Sequence, residues 1–557
     1  ELNNFSCEKS PVRFLVNVEK KNNIARTRFG QINIKTKAAN NNNDHIAISK
    51  KLEVPQGIES GKGIGILKFF EGKNIFVTGG TGLLGKVLVE KILRSTPVGK
   101  IYVLVKADDQ EAAVDRITKE LINSELFRCL KEKHGKYYQA YIKETLIPIV
   151  GNICEPNLGM DSDSTHAIME DVNVIIESAA ITTLNERYDV LLEANVNSPQ
   201  QLMRFAKTCK NLELFVHIST AYVNGEREGI ILEKPLIMGE NRRNDDTCNT
   251  SPFPRLDITD EVNLSVSRKQ MASSNYDLTR DMKSLGMERA NLYGWYNTYH
   301  LTKAMAEMVI NETRGDIPVV IIRPTVIESC CKEPIPGWIQ GNRMFDPIIV
   351  SYGKGQLPAF LGKPDSPMDA IPLDIVVNGT IAAIAKHGYM QKPELNVYHM
   401  SSSVTNPLRY SEFFEYLYEY FSSEPLVESE TLIRVNYYDD IEKIKYFDNF
   451  NDFSKYTREE ISRRGGGENA VATKKAQTQC RAKIIYAEHL CKMYEFLGLF
   501  KARFHAGNTQ KLLYEMSKEE VDNFDIDVSK IEWRKYFQEV HIPGLRKHVL
   551  NDRSISV

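Results

Sequence analysis

No run of 18 consecutive apolar residues occurs in the 557-residue chain, so no membrane-spanning helix is expected. Cysteine is sparse. There are nine and no Cys-x-x-Cys pair, so neither a zinc ribbon nor a disulfide scaffold is indicated, and no bound metal is expected. Reduced thiols suit a cytosolic or stromal setting. Nor is there an excess of either charge. Lys and Arg number 71 against 73 Asp and Glu, and a net charge of −2 gives no reason to expect a nucleic-acid partner. What remains, 42% hydrophobic and 26% charged, is the composition of an ordinary globular protein. At this length two domains and an extension are expected.

What is present is concentrated in Thr78-Gly79-Gly80-Thr81-Gly82-Leu83-Leu84-Gly85. The apolar run Asn74-Ile75-Phe76-Val77 before it reads as a buried parallel strand, and residues 86–93 after it have helical periodicity. Gly79, Gly82 and Gly85 therefore fall on a strand-to-helix turn. The first allows the turn, the second lets a pyrophosphate approach the backbone, and the third lets helix and strand pack closely. Free amides at the helix start then meet phosphate charge. The second apolar run, Ile101 to Val105, ends in Lys106-Ala107 rather than in an acid. A carboxylate there would bind the ribose hydroxyls of NAD, whereas a cation accommodates the extra phosphate of NADP. Lys106 thus argues for NADPH, against the nearby Asp108 and Asp109.

A second signature is Tyr299-His300-Leu301-Thr302-Lys303. Residues four apart share a helix face, so an ammonium can sit beside the phenol and lower its pKa. Tyr299 could then give a proton to a carbonyl oxygen. Between the glycine turn and this pair, Leu214-Phe215-Val216-His217-Ile218-Ser219-Thr220 ends another apolar strand, and Ser219 or Thr220 would hold the substrate carbonyl. Thr220 is expected to be the one that faces the carbonyl. Probable strands at 74–78, 101–105, 146–150, 173–178, 213–219 and 318–323 alternate with helices at 83–94, 111–123, 188–209 and 297–312. That alternation predicts an α/β fold with a doubly wound parallel sheet. A polar insert at about 239–284 is expected to be a lid or a disordered loop. After Ser401 the pattern is helical, with an aromatic stripe from Tyr410 to Phe421 that reads as helix packing. Ser517-Lys518-Glu519-Glu520 is a capping box. Cys330 and Cys331 are read as buried structural residues.

These motifs resemble the extended short-chain dehydrogenase/reductase family, and within it the plant, male-sterility type of alcohol-forming fatty acyl-coenzyme A reductase. The resemblance runs from about Gly63 to Lys547. It is carried by Phe70-Glu71-Gly72-Lys73, Val77-Thr78-Gly79, Asn185-Glu186-Arg187-Tyr188-Asp189 and His217 to Gly225. Thr302-Lys303-Ala304-Met305, Lys332 to Trp338, Asn508-Thr509 and His541 to Arg546 also match. The resemblance implies a Rossmann-type reductase domain over 63–400, a helical C-terminal domain over 401–557, and reduction of a long-chain acyl-CoA or acyl-carrier-protein thioester to a primary alcohol with NADPH. Two successive hydride transfers are expected, with Tyr299 and Thr220 stabilising the oxyanion and Tyr299 then donating the proton. Lys303 is expected to meet the nicotinamide ribose, and Pro324, Thr325 and Val326 the nicotinamide amide. Asn152 and Ile153 are expected at the adenine, and Ala179, Ala180 and Asn195 complete the cofactor set. Ile181 and Asn152 depart from the family pattern, which bears on affinity more than on reaction class.

Residues 9 to 51 hold ten cations and two acids, followed or interrupted by an Asn40–Asn43 tract. Residues 1–62 are therefore expected to be a basic, disordered leader. The resemblance favours a plastid transit peptide, with a cytoplasmic protein as the alternative. Peripheral membrane contact stays open. A nucleotide-sugar epimerase or dehydratase would share the glycine turn and the Tyr-Lys pair, but has no need of the long C-terminal region. A non-catalytic sensor of NADP would normally lose Tyr299 or Lys303.

Overall fold

Apolar residues of the first strand divide between two cores. In Ile75–Thr78 (β1), Ile75 and Val77 enter one hydrophobic cluster while Phe76 enters another, because successive strand side chains point to opposite sheet faces. Leu214–Ile218 (β5) and Val319–Pro324 (β6) divide in the same way. A sheet buried on both faces needs helices on both, and the chain supplies them. The computed structural model describes residues 62–242, 254–271, 274–426, 441–464 and 474–551.

The other strands are Ile101–Val105 (β2), Leu146–Val150 (β3), Val174–Glu177 (β4) and Leu395–Met400 (β7). All seven pair in parallel, in the order β7-β6-β5-β4-β1-β2-β3. The order reverses between β1 and β4, which opens a crevice at the carboxyl ends of those strands. Leu83–Ser95 (α1) and Leu373–Met390 (α7) pack on one face, and Ser198–Ala206 (α3) with Thr298–Thr313 (α6) on the other. Six of the strands were expected; β7 was not. The expected helix at 111–123 is Gln110–Ile117 (α2) followed by a wider turn at Thr118–Ile122, and that at 188–209 has the same kind of turn at Glu193–Asn197 before α3.

The polar insert is not the disordered loop that was one of its two expected forms. Most of its described residues lie in Ile258–Met271 (α4) and in Asn275–Tyr293 (α5), which runs on past the insert, and residues 243–253 and 272–273 lie outside the described residues. Met282 and Leu285 of α5 pack with Trp295, Leu301 and Met305, so a sparse apolar stripe suffices to hold the helix on α6. Buried Glu261 on α4 accepts hydrogen bonds from Tyr188 (2.8 Å), Tyr293 (2.8 Å) and Arg289 (2.6 Å).

Beyond Ser401 the aromatic stripe on Tyr410–Ser423 (α8) buries Tyr410, Phe413, Phe414 and Phe421 as helix packing. Phe450–Arg464 (α9) and Lys474–Gly498 (α10) join the same cluster. Short strands tie these late segments to earlier ones: Ala502–Phe504 pairs with Gly229–Ile231, and Lys445–Phe447 with Ala359–Leu361. Gly337 and Gly544 meet back to back, and a Cβ on Gly544 would lie 2.0 Å from the Gly337 carbonyl oxygen. The matching Lys332–Trp338 and His541–Arg546 stretches are therefore one contact in space. Among the described residues, no helix is long and apolar enough to cross a membrane. The leader lies outside the described residues, apart from Lys62.

Candidate active site

Glycine is required at the first turn for steric reasons. Gly79 has φ +72°, and a Cβ there would stand 2.6 Å from the Ala179 amide nitrogen. A Cβ on Gly85 would stand 2.2 Å from the Gly79 carbonyl oxygen, so α1 could not seat against the turn. Gly82, the N-cap of α1, offers no capping side chain, so the amides of the first helical turn are left to a ligand or solvent. Thr78 is buried, and its hydroxyl accepts from the Ala179 amide at 3.4 Å. This is a cradle shaped for a pyrophosphate, and it fits the group.

Cation density at the second strand is greater than Lys106 alone suggests. Lys106 is exposed at the end of β2. Arg116 on α2 donates to the Lys106 carbonyl (3.0 Å) and to the Thr81 hydroxyl (3.2 Å), which places its guanidinium between β2 and the glycine turn. Sequence reading missed Arg116; its position on the helix just after β2 was the available signal. On the far side, Asn152 sits in a turn, its amide donating to Leu158 O at 2.7 Å and its side chain to Glu155 at 2.8 Å. Ile153 packs on the adjoining core cluster. Asn195 donates to and accepts from the Ile181 backbone (3.0 and 2.9 Å) and reaches Thr302 (3.3 Å). It braces the Ala179-Ala180-Ile181 segment.

The Tyr-Lys pair lies on α6, which packs on the short turn Ala221–Asn224 immediately after Thr220. Lys303 is buried, and its ammonium donates to Ile218 O (2.7 Å) and to His217 Nε2 (3.1 Å). His217 Nδ1 in turn meets the Glu177 carboxylate, its cross-strand neighbour. With Nδ1 carrying the hydrogen, this ring is neutral and bridges Lys303 to Glu177. Burial and the Lys303 charge hold the imidazole below its usual pKa.

This differs from the expected lowering of the Tyr299 pKa. Burial pushes the phenol up, and the Glu177 charge pushes it the same way, while Lys303 is committed to His217 and Ile218. The Tyr299 phenol therefore keeps its hydrogen at neutral pH. Of the two hydroxyls expected at the carbonyl, Ser219 donates to Glu307 at 2.5 Å. Glu307 is also clasped by Arg323 at 2.5 and 2.9 Å, with both side chains fully buried. The Thr220 hydroxyl makes only long contacts, 3.4 Å to Pro324 O and 3.4 Å from the Tyr222 amide. The Thr325 hydroxyl is taken up by Asp369 at 2.9 Å, and the amides of Thr325 and Val326 donate to Met400 O (3.0 Å) and Asp369 O (3.1 Å), so neither residue offers a free donor for a cofactor amide. Cys330 is buried, with its thiol pushed far up by burial and by neighbouring acids, as a structural cysteine would be.

An aromatic wall stands next to Tyr299. His300 stacks on Tyr222 (5.4 Å between ring centres) and touches Phe496 (5.3 Å), while Tyr222 also contacts Phe500 (5.6 Å) and Phe504 (5.5 Å). Phe496 is on α10 and the other two phenylalanines follow it, so the C-terminal region supplies part of this wall.

An NAD-binding family model described as "Male sterility protein" matches residues 77–380, and a second with the same description matches residues 470–552. The chain is 46% identical over 511 residues to "Fatty acyl-CoA reductase 2, chloroplastic" of Arabidopsis thaliana, covering 88% of this chain and 81% of that protein. It is 35% identical to the "Alcohol-forming fatty acyl-CoA reductase" of Simmondsia chinensis, covering 87% and 99%. The chain belongs to the fatty acyl-CoA reductase family. Among solved structures it is similar to the terminal R domain of the myxalamid biosynthetic pathway, with TM-score 0.54, 16% identity and coverage of 86% and 91%. It is equally similar to the reductase domain of a non-ribosomal peptide synthetase from Mycobacterium tuberculosis, with TM-score 0.54, 17% identity and coverage of 91% and 96%. At that identity these neighbours support the extended reductase fold alone. A nicotinamide cofactor follows from the matched NAD-binding model and the shape of the glycine cradle.

Proposed function

We propose that the protein reduces long-chain fatty acyl thioesters to primary alcohols with NADPH. The observation that carries this reading is the meeting of α6, bearing Tyr299 and Lys303, with the turn after Thr220, in a chain of this family. When bound, NADPH supplies a hydride in each of two rounds. In the first, the Tyr299 phenol and the Thr220 hydroxyl hydrogen-bond the thioester oxygen as it gains negative charge, and the carbon–sulfur bond then breaks to release aldehyde and a thiolate that takes its proton from solvent. In the second, Tyr299 gives its proton to the aldehyde oxygen. Lys303, through His217, balances Glu177. The Tyr222, His300 and Phe496 rings give the acyl chain an apolar surface to lie on.

Lys106 and Arg116 together favour NADPH over NADH, since both can approach a 2′-phosphate. The thioester carrier is coenzyme A or an acyl carrier protein. A plastid location is supported by the basic leader and by the chloroplastic relative. The test is to incubate the purified protein with NADPH and palmitoyl-CoA, or palmitoyl-acyl carrier protein, and to analyse products by gas chromatography. Hexadecanol with two NADPH consumed per alcohol is expected. Oxidation of NADPH by a nucleotide sugar, with none by either thioester, would overturn the assignment.

A further inference from the structure

Three polar atoms in the interior aim at one point without a hydrogen bond to satisfy them. Glu328 Oε2, Asp346 Oδ1 and His541 Nε2 are each buried and each lack a partner among the described residues. His541 Nε2 lies 3.1 Å from Asp346 Oδ1 and 3.4 Å from Glu328 Oε2, and the three atoms all fall within 4.8 Å of one another. Two ligands each about 2.1 Å from one ion, subtending 90–110°, are separated by about 3.0–3.4 Å. These spacings suit a shared cation.

The remaining atoms of the three side chains are held from behind. Glu328 Oε1 accepts the Phe345 amide (3.3 Å), and Asp346 Oδ2 accepts the Arg343 amide (2.9 Å). His541 Nδ1 meets the Ser329 hydroxyl at 3.0 Å and accepts the Ser329 amide at 3.4 Å, so a metal at Nε2 requires Nδ1 to take up the hydrogen and turn it to that hydroxyl. Charge gives an independent argument. Two carboxyl groups are buried side by side, and among the described residues no lysine or arginine pairs with either. With a neutral imidazole a divalent cation would balance both carboxylates, and a proton held between them is the alternative. Among the described residues this is the one group of three His, Cys, Asp or Glu side chains that converges in this way.

We infer that Glu328, Asp346 and His541 bind a structural divalent cation of the zinc class. The mixed ligand set of one imidazole and two carboxylates suits Zn²⁺, with Mn²⁺ as the oxygen-favouring relative. Its place in the fold gives it a role. Glu328 ends the short strand that begins at Val326, Asp346 starts the helix Asp346–Gly353, and His541 precedes the last helix, Ile542–His548. The ion would clasp the C-terminal segment to the segment expected to face the nicotinamide. The 195 residues that separate Asp346 from His541 leave no spacing motif in the sequence to mark the site.

The experiment measures metal in the full chain, purified without chelator or polyhistidine tag from zinc-supplemented medium. About one zinc per chain is expected by inductively coupled plasma mass spectrometry. Removal with dipicolinate should lower the thermal midpoint, and added Zn²⁺ should restore it; Co²⁺ in its place should give visible d–d absorption. His541→Ala should reduce bound metal at least tenfold. Glu328→Gln keeps the side-chain volume and should do the same even if His541→Ala fails to fold. His548→Ala, outside the cluster, should leave metal content unchanged. Less than a tenth of an ion per chain, with a midpoint unmoved by Zn²⁺ or Mn²⁺, would overturn the site in favour of a shared proton. Undiminished metal in Glu328→Gln would also overturn it, because the ion would then lie elsewhere.

Discussion

Burial and the Glu177 carboxylate both oppose ionisation of the Tyr299 phenol, so its proton stays available well beyond neutrality. Tyr299→Phe should therefore cost about 10²–10⁴-fold in alcohol formation, with cofactor binding by fluorescence titration nearly unchanged. Retention of more than about a tenth of wild-type turnover would exclude the phenol as the acid. In the wild type, kcat/KM should show no alkaline limb from this group below pH about 10, its ordinary value. Arg116→Ala should raise KM for NADPH far more than for NADH, since the guanidinium that bonds Thr81 and the Lys106 carbonyl stands beside the proposed phosphate position. An equal rise for both cofactors would assign Arg116 to loop support only. Glu307 is a stability residue. Burial pushes its pKa up, but the Arg323 charge and hydrogen bonds outweigh this and hold it below the usual range. A depressed carboxylate stabilises the fold above its unfolded pKa of about 4.3, and that contribution is lost as pH falls through the lower folded value. Glu307→Gln leaves Arg323 buried and uncompensated, so a loss of about 3–5 kcal/mol is expected from urea melts at pH 7, shrinking as the wild type is acidified below about pH 4.

At the level of elements, the glycine turn makes a graded prediction. Gly85→Ala drives a methyl group against the Gly79 carbonyl at 2.2 Å, whereas Gly82→Ala meets the same oxygen at 3.2 Å with an ordinary φ. Gly85→Ala should cost about 1–3 kcal/mol or more in unfolding free energy and abolish cofactor binding, while Gly82→Ala keeps the fold and weakens binding. Comparable behaviour of the two would show that helix seating is not what the third glycine serves. The same elements show what was legible. The six expected strands are near-continuous apolar runs, the mark of a parallel sheet covered on both faces. Leu395–Met400 escaped because Asn396 and His399 interrupt its apolar run; His399 is buried there because its Nδ1 meets the His505 carbonyl and its Nε2 faces Arg323. The insert helices escaped because their apolar residues are few, and packing against α6 decides their state rather than local periodicity. In the site, Tyr299, Lys303 and the glycines carry motif spacing. Glu177 and His217 look like ordinary strand residues until β4 and β5 place them side by side.

At the scale of the whole molecule, residues far apart in sequence close the fold at one carboxylate. Glu520, in the capping box of the helix Lys518–Asn523, accepts the Ser517 amide at 2.9 Å. It also accepts the amides of Ile64 (2.8 Å), Gly65 (2.6 Å) and Ile66 (2.9 Å), which are orphan donors at the start of the helix Ile66–Phe70. That short helix buries Ile66, Phe69 and Phe70 against the main core. A helix of five residues could not hold itself, so the tie to Glu520 and the buried rings must hold it. The basic, asparagine-rich residues before it offer little apolar area to bury. Deleting residues 1–60 should therefore leave the thermal midpoint and specific activity within error. Deleting residues 1–70 should destabilise by several kcal/mol, since burying one large apolar side chain contributes about 1.5–3 kcal/mol and three are removed. Glu520→Ala in the full chain should fall between them, at about 1–3 kcal/mol, because it strips the amides but spares the rings. The comparison is made by urea denaturation of the three proteins beside wild type. Loss of activity already at the first deletion would place part of the leader in the catalytic body; indifference to the second would mean that the Glu520 tie does not hold in solution.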